Sequence, residues 1–319
     1  MRYNWGMKNE NDFPQTLQDA IVYFKNPDHC LEFMADLRWG GDPTCPRCQS
    51  KYVSFLSTRR IWKCLDCKKQ FSVKVGTIFE DSALGLDKWL AALWMVANAK
   101  NGISTYEIAR DLKVTQPTAW FMEQRIREAM KSKTFEKLAG TIEVDETFVG
   151  GLAKNMHKDS REQKIHGTGG FGKTTVMGFH QRNGKVRAKV IPNTDKKTIH
   201  SEVRANVETG SELYTDSMQS YNGLAPDYAH QSVDHAAKEY VRGQVHTNGI
   251  ENFWSLWKRC IKGTHVHFDP KYMARYLDEE MFRYNNRTNN DAGRFLVVAT
   301  SVLGQHLTHK ELTGKIQLM

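Results

Sequence analysis

Hydrophobic residues near the start of the chain recur at helical spacing. Leu17, Ile21, Phe24, Cys30, Phe33 and Leu37 predict one or two short helices over residues 16–39, broken at Asn26-Pro27-Asp28. Over residues 40–77 the period shortens: KYVSFLSTRRIWK alternates as a hairpin and Gln70-Phe-Ser-Val-Lys-Val reads as a third short strand. Helical spacing then returns. Residues 87–98 carry a dense apolar face from Leu90, Leu93, Trp94 and Val96, with an Asp near the start. Ser104 opens a second helix over residues 105–112 with Glu107 completing a capping box, and Gln116 opens a third with Pro117 in its first turn.

A charged connector, residues 131–140, leads into a stretch of mixed period, and the main domain boundary is expected there. In TIEVDETFVGG, residues 141–151, Ile142, Val144 and Phe148 share one face of a strand, interrupted by Glu146; Glu143, Asp145 and Thr147 share the other. Residues 152–173 are rich in Lys, His and Gly without periodicity and predict a loop. TTVMGFHQRNGKVRAKVI reads as two strands joined at Asn183-Gly184. A helix over 198–207, a short strand ending in Asp216, a turn at Tyr221-Asn-Gly and a strand at QSVDHA follow. NGIENFWSLWKRCIK, residues 248–262, is the clearest helix. Ile250, Phe253, Trp254, Trp257 and Ile261 form its apolar stripe, while Asn248, Glu251, Ser255 and Lys258 share another face. Beyond it, Tyr272, Tyr276, Met281 and Tyr284 are spaced as core contacts, and a helical tail ends the chain.

Composition narrows the classes. A chain of 319 residues has room for two or three domains. The formal net charge of +9 points to polyanionic partners. No apolar run is long enough to span a bilayer and no signal peptide is evident, so a cytoplasmic, nucleoid-associated protein with no membrane partner is expected. Six cysteines argue against a disulfide framework; Cys30 and Cys260 stand alone in apolar surroundings and are expected to be buried.

The other four cysteines form a C-x2-C-x15-C-x2-C array, Cys45, Cys48, Cys64 and Cys67. Two such turns supply the tetrahedral sulfur shell of a structural zinc and leave no open position for water. Arg47, Arg59, Arg60 and Lys63 crowd the same module, which suits nucleic-acid contact or a solvated basic face. The helix, turn and helix after it follow the helix-turn-helix plan, which would put Gln116, Thr118, Gln124, Arg125 and Arg127 on the groove or phosphate side. GTGGFGKT, ending in Gly172-Lys173-Thr174, matches the phosphate-binding loop formally, but a polar stretch precedes it and strands follow it, which is the wrong context. Asp145 and Asp216 on strands and Glu251 on a helix are carboxylates that could meet at a metal site, with Asp234, His235, His246 and His265 as weaker candidates. Glu143 shares the face of Asp145 and could support it; Glu146 should point away.

The order of these elements, carried by CPRC and CLDC, EVDETFVGG, LYTDSMQSY, HTNGIENFWSLWKR and YLDEEMFRYNNR, resembles the zinc-ribbon insertion-sequence transposases of bacteria. The resemblance implies an α/β fold: a ribonuclease-H-like mixed-sheet catalytic domain (139–290) preceded by a helical segment (1–39), a zinc ribbon (40–80) and a helix-turn-helix-like domain (81–138), and followed by a helical tail (291–319). It implies a DDE-type enzyme with two Mg²⁺ or Mn²⁺ ions on Asp145, Asp216 and a third residue, and Lys258 near substrate phosphates. Some members carry asparagine in the third position; the seven-residue offset to Lys258 favours Glu251, with Asn248 as competitor. Partners implied are transposon terminal repeats and target DNA, with a homodimer or higher oligomer on DNA. The alternatives are a catalytically inactive, sequence-specific DNA-binding protein derived from a transposase, and a nucleotide-driven enzyme using Gly172-Lys173-Thr174.

Overall fold

The computed structural model describes residues 13–132, 136–150, 157–159, 172–235, 237–266 and 268–314. Most of the glycine-rich loop expected after the first catalytic-domain strand, and His267, lie outside these residues. The chain divides into two compact units, residues 1–131 with 286–319 and residues 132–285.

In the first unit, α1 (Leu17–Phe24) starts at a Thr16/Asp19 capping box and α2 (Pro27–Trp39) starts at Asn26 with proline in its first turn. Gly40 ends α2 at a φ of +60°, the left-handed position that favours glycine. β1 (Val53–Leu56), β2 (Ile61–Cys64) and β3 (Gln70–Phe71) form an antiparallel sheet in that order. α3 (Leu86–Asn98), α4 (Thr105–Leu112) and α5 (Gln116–Met130) follow, with the capping box at Ser104 and Glu107 and the first-turn Pro117 expected from the sequence. The tail is part of this core. Phe295, on the helix Asp291–Ser301, is fully buried with its ring centroid 5.0 Å from Trp94 and 5.6 Å from both Phe24 and Phe33.

The second unit is built on a five-stranded mixed sheet of order β6-β5-β4-β7-β8. Its strands are β4 (Thr141–Val149), β5 (Thr174–Gln181), β6 (Val186–Ile191), β7 (Glu212–Asp216) and β8 (Ala229–Val233). β4, β5 and β6 run antiparallel, turning at Asn183-Gly184 with Asn183 at a φ of +58°. β7 and β8 add parallel on the other side of β4. Parallel addition needs a crossover, supplied by α6 (Lys196–Asn206). Ile199 and Val203 of α6 pack with Ile142, Val144 and Leu213 on one face of the sheet. Ile250, Phe253, Trp254 and Trp257 of α7 (Asn248–Cys260) pack on the other face, with Leu277 and Met281 of α8 (Met273–Asn285). With helices on both faces, β4 does not show the half-solvated alternation of an edge strand. Glu143 and Thr147 are buried, while Phe148, expected in the apolar face, is 42% exposed near the strand's end. Among the described residues, no helix is long and apolar enough to cross a membrane.

Candidate functional site

The four cysteines stand on the turns flanking the first sheet, with every pair of ligand atoms within 4.8 Å. The Sγ–Sγ separation is 3.7 Å for Cys45 and Cys67 and 3.5 Å for Cys48 and Cys64. A tetrahedron of sulfurs about 2.3 Å from zinc has edges of about 3.8 Å, so the quartet fits that ion closely. Four thiolates fill the shell, and the site is structural.

The carboxylates gather differently. β4 pairs with β7 as Thr141 with Glu212, Ile142 with Leu213 and Glu143 with Tyr214. Carried two residues further, that register sets Asp145, in the middle of β4, beside Asp216 at the carboxyl end of β7. The sheet order reverses here, where open α/β sheets leave a crevice. Asp216 Oδ1 accepts the Met218 amide at 3.0 Å, and Asp145 Oδ2 accepts the indole N–H of Trp254 at 3.1 Å. Burial, then the charges of Asp216 and Glu251, push Asp145 up to about 7. Glu251, half exposed, accepts from the Thr247 hydroxyl at 2.7 Å and lies 3.6 Å from His235 Nε2. Asn248, the first residue of α7, is exposed, and its side chain makes no hydrogen bond among the described residues.

Glu146 does lie on the face opposite Asp145, yet it is not idle. It accepts a hydrogen bond from the buried Tyr221 hydroxyl, and burial together with the charges of Asp145 and Asp216 pushes it up to about 8 against that bond. Asp145, Asp216 and Glu146 form no ion pair among the described residues. A group of hard oxygen donors in which Asp145 and Glu146 are raised by burial and neighbouring charge fits Mg²⁺ or Mn²⁺. Among the described residues only the cysteines meet within 4.8 Å of one another, so the carboxylates stand wider apart than the thiolates.

Glu143 plays a role that sequence reasoning left undefined. Its buried carboxylate accepts the backbone amides of Gly249 at 2.7 Å and Ile250 at 3.0 Å, capping α7 where Thr247 makes no side-chain cap. Arg182 Nε donates to it at 2.8 Å, and His246 Nδ1 lies 3.3 Å away. Burial opposes its charge, but the bonds from His180, Arg182 and Ile250 hold its pKa below the usual value. Two glycines make the contact possible. A Cβ on Gly249 would stand 2.2 Å from His180 Nδ1 and 2.7 Å from Glu143 Oε2. A Cβ on Gly178, the strand partner of Asp145, would stand 2.5 Å from the Trp254 ring that reaches Asp145. No local pattern marks Glu143 as a cap, because its partners are 106 and 107 residues away.

Of the residues expected at DNA, Arg47 and Arg59 are exposed and Lys63 is half-buried on the ribbon; Arg60 is exposed and paired with Asp28 at 2.7 Å. Gln116 and Thr118 sit at the start of α5, half-exposed, bonded to Thr105 and Thr115 respectively. Arg125 is corrected: it is 4% exposed, and its guanidinium donates to the carbonyls of Leu307, Ile78 and Glu80. Gln124 and Arg127 are buried too, Arg127 against Glu123 at 2.7 Å, so the second half of α5 is core. The phosphate-loop pattern is settled by its exit, since Thr174 begins β5 rather than a helix. Lys258 is exposed on α7, His235 approaches Glu251, His246 approaches Glu143, and Asp234 instead accepts from Ser217 and Ala237. His265 packs edge-on to Tyr276.

A ribonuclease-H-like sheet whose switch point gathers acids, on a chain that also carries a four-cysteine ribbon, defines a transposase of the DDE class. Residues 137–285 match the ISXO2-like transposase domain, and residues 25–70 match the transposase zinc-ribbon domain. The chain is 27% identical over 281 residues, covering 82% of it and 94% of the relative, to an uncharacterized protein in transposable element ISH50 of Halobacterium salinarum. It is 30% identical over 103 residues, 32% of it and 82% of the relative, to an uncharacterized transposase-like protein of Haemophilus influenzae. The chain belongs to the zinc-ribbon, ISXO2-like family of insertion-sequence transposases.

Proposed function

We propose that this transposase cuts DNA at the ends of its insertion sequence and transfers the freed strand into target DNA. The observation that carries the reading is the meeting of Asp145 and Asp216 at the sheet's switch point, within electrostatic reach of Glu251. Asp145 and Asp216 would hold divalent cations with Glu251, which is preferred to Asn248 because its charge already bears on Asp145. Two bound Mg²⁺ or Mn²⁺ ions would supply activation of the attacking oxygen and stabilisation of the leaving oxygen. The chain's own residues do the positioning. Trp254 fixes one oxygen of Asp145, and Glu143 fixes the first turn of the helix that carries Glu251. Lys258, seven residues and about 10 Å further along that helix, neutralises a substrate phosphate.

Arg47, Arg59 and Lys63, with Arg60 once released from Asp28, contact DNA phosphates, and Gln116 and Thr118 face DNA at the start of α5. Pairing two transposon ends calls for a dimer or larger assembly on DNA. The test is cleavage and strand transfer on DNA carrying the element's own ends. Asp145→Asn and Asp216→Asn should each lower both activities at least about 1,000-fold while end binding is kept; removing a metal-bound carboxylate costs about 4 kcal/mol or more of barrier. Retained cleavage would overturn the site. Glu251→Gln should be similarly damaging; a harmless Glu251→Gln beside an inactive Asn248→Ala would transfer the third role to Asn248.

A further inference from the structure

Past the acids, where β4 ends, the second unit holds a cleft of about 440 Å³ with a lining unlike that of the acid site. Three lysines reach it, Lys173 from the start of β5 and Lys258 and Lys262 from α7 and its continuation, and no carboxylate lines it among the described residues. None of the three lysines forms an ion pair among the described residues. The rest of the wall is apolar and includes Phe148, 42% exposed, and Phe268. Phe268 is held in place by stacking on Tyr276, with ring centroids 4.3 Å apart and planes at 18°.

The backbone at the rim is also unusual. α7 does not end at Cys260 but widens into a π-turn over Ile261–His265, closed by Val266 at a φ of +53°. A β-branched residue is strained there, and Val266 is 74% exposed, so burying its side chain does not compensate for the strain. π-turns collect at functional sites, and here the widened last turn of the helix carries Lys262 to the cleft.

Unpaired cations beside fixed aromatic rings are the combination that binds unstacked nucleotides, the cations taking the phosphate and a ring taking the base face. A duplex offers no free base face to the phenylalanines, so an unpaired nucleotide is the ligand that uses both halves of the lining. We propose that this cleft holds an unpaired nucleotide of the DNA strand running through the acid site, with its phosphate on Lys173 and Lys262 and its base against Phe148. Val149, on the cleft wall, is four residues or about 13 Å along the strand from Asp145, so the nucleotide bound is a neighbour of the reacting phosphate and not the reacting one. The proposal rests on the transposase reading for the identity of that strand.

The test compares a blunt duplex with the same duplex carrying a 3′ single-stranded tail, bound to the full-length protein without divalent cation so that no turnover occurs. The tailed duplex should bind about tenfold more tightly, and Phe148→Ala and the double variant Lys173→Ala/Lys262→Ala should each bring the ratio close to one. Blunt-duplex affinity should stay within about twofold, which also shows that the variants fold. A ratio of one in the unaltered protein, or a ratio that both variants leave in place, overturns the cleft proposal. Equal loss on both DNAs also overturns it, because it would mark the lysines as a general phosphate surface. Cleavage retained by Asp145→Asn would overturn the transposase site without moving these ratios, so the two failures are distinguishable.

Discussion

The protein carries a four-cysteine zinc quartet and a group of acids, built on opposite principles. The thiolates come from one stretch, Cys45 to Cys67, and already stand at the edge lengths of a zinc tetrahedron. The carboxylates come from two strands and a helix at Asp145, Asp216 and Glu251 and stand wider apart, with the charges of Asp216 and Glu251 adding to the burial that raises Asp145. A closed shell is complete without substrate and serves folding. On the proposed reading, the open set of acids is completed by cations that take part in the reaction. Support differs as well: the ribbon's ligands hang on local turns, whereas the acids depend on strand register and on Glu143 reaching across to α7.

The sharpest break in this comparison is at the ribbon. Structural zinc contributes roughly 10–16 kcal/mol of apparent binding free energy, so Cys64→Ser should lose the single zinc per chain found by metal analysis and unfold the ribbon by hydrogen exchange. Next comes Arg125→Ala. Two buried carbonyls and a partly buried one lose their donor, at about 1–3 kcal/mol for each buried acceptor left unpaired, and denaturant unfolding should show a loss of several kcal/mol. A variant of normal stability with weakened DNA binding would return Arg125 to the DNA surface. A smaller effect is expected from Gly249→Ala. Its Cβ would press on Glu143 and His180 and displace the first turn of α7, costing about 1–3 kcal/mol of stability. Cleavage should fall far more than end binding, because the ribbon and α5 are untouched; equal losses would show that Glu143 serves only stability.

The sequence announced whatever is written in short-range spacing. The cysteine array, the capping box at Ser104 and Glu107, the turn at Asn183-Gly184 and the stripe of α7 all formed where their spacing placed them. Arg125 misled because a charged residue on a candidate DNA helix reads as exposed, and its carbonyl partners lie 47, 45 and 182 residues away. The tail looked unspecific for the same reason, since the aromatic rings around Phe295 come from residues far earlier in the chain. Asp145 could be suspected as an acid within an apolar strand and Asp216 from its place at a strand end, but their adjacency needs the parallel register of β4 and β7, which no local pattern encodes. Glu143 and Asp145 look alike in the sequence, and only packing makes one a helix cap and the other an acid raised by burial and neighbouring charge.

On the proposed reading, Asp145, Asp216 and Glu146 have hydrogen bonds but no ion pair among the described residues, and divalent cations complete the cluster. Asp145 and Glu146 are raised from 3.8 and 4.5 to about 7 and about 8, so the folded protein keeps protons that the unfolded chain has released. Their contribution to metal-free stability is therefore full below about pH 4 and is lost as pH rises towards about 8. Thermal unfolding across this range, with and without Mg²⁺, is the most direct measurement. The unaltered protein should lose stability as pH rises, Mg²⁺ should restore it most at pH 8, and Asp145→Asn should flatten the loss and abolish the restoration. A Tm at pH 8 that Mg²⁺ does not move, or moves equally in Asp145→Asn, would contradict the account.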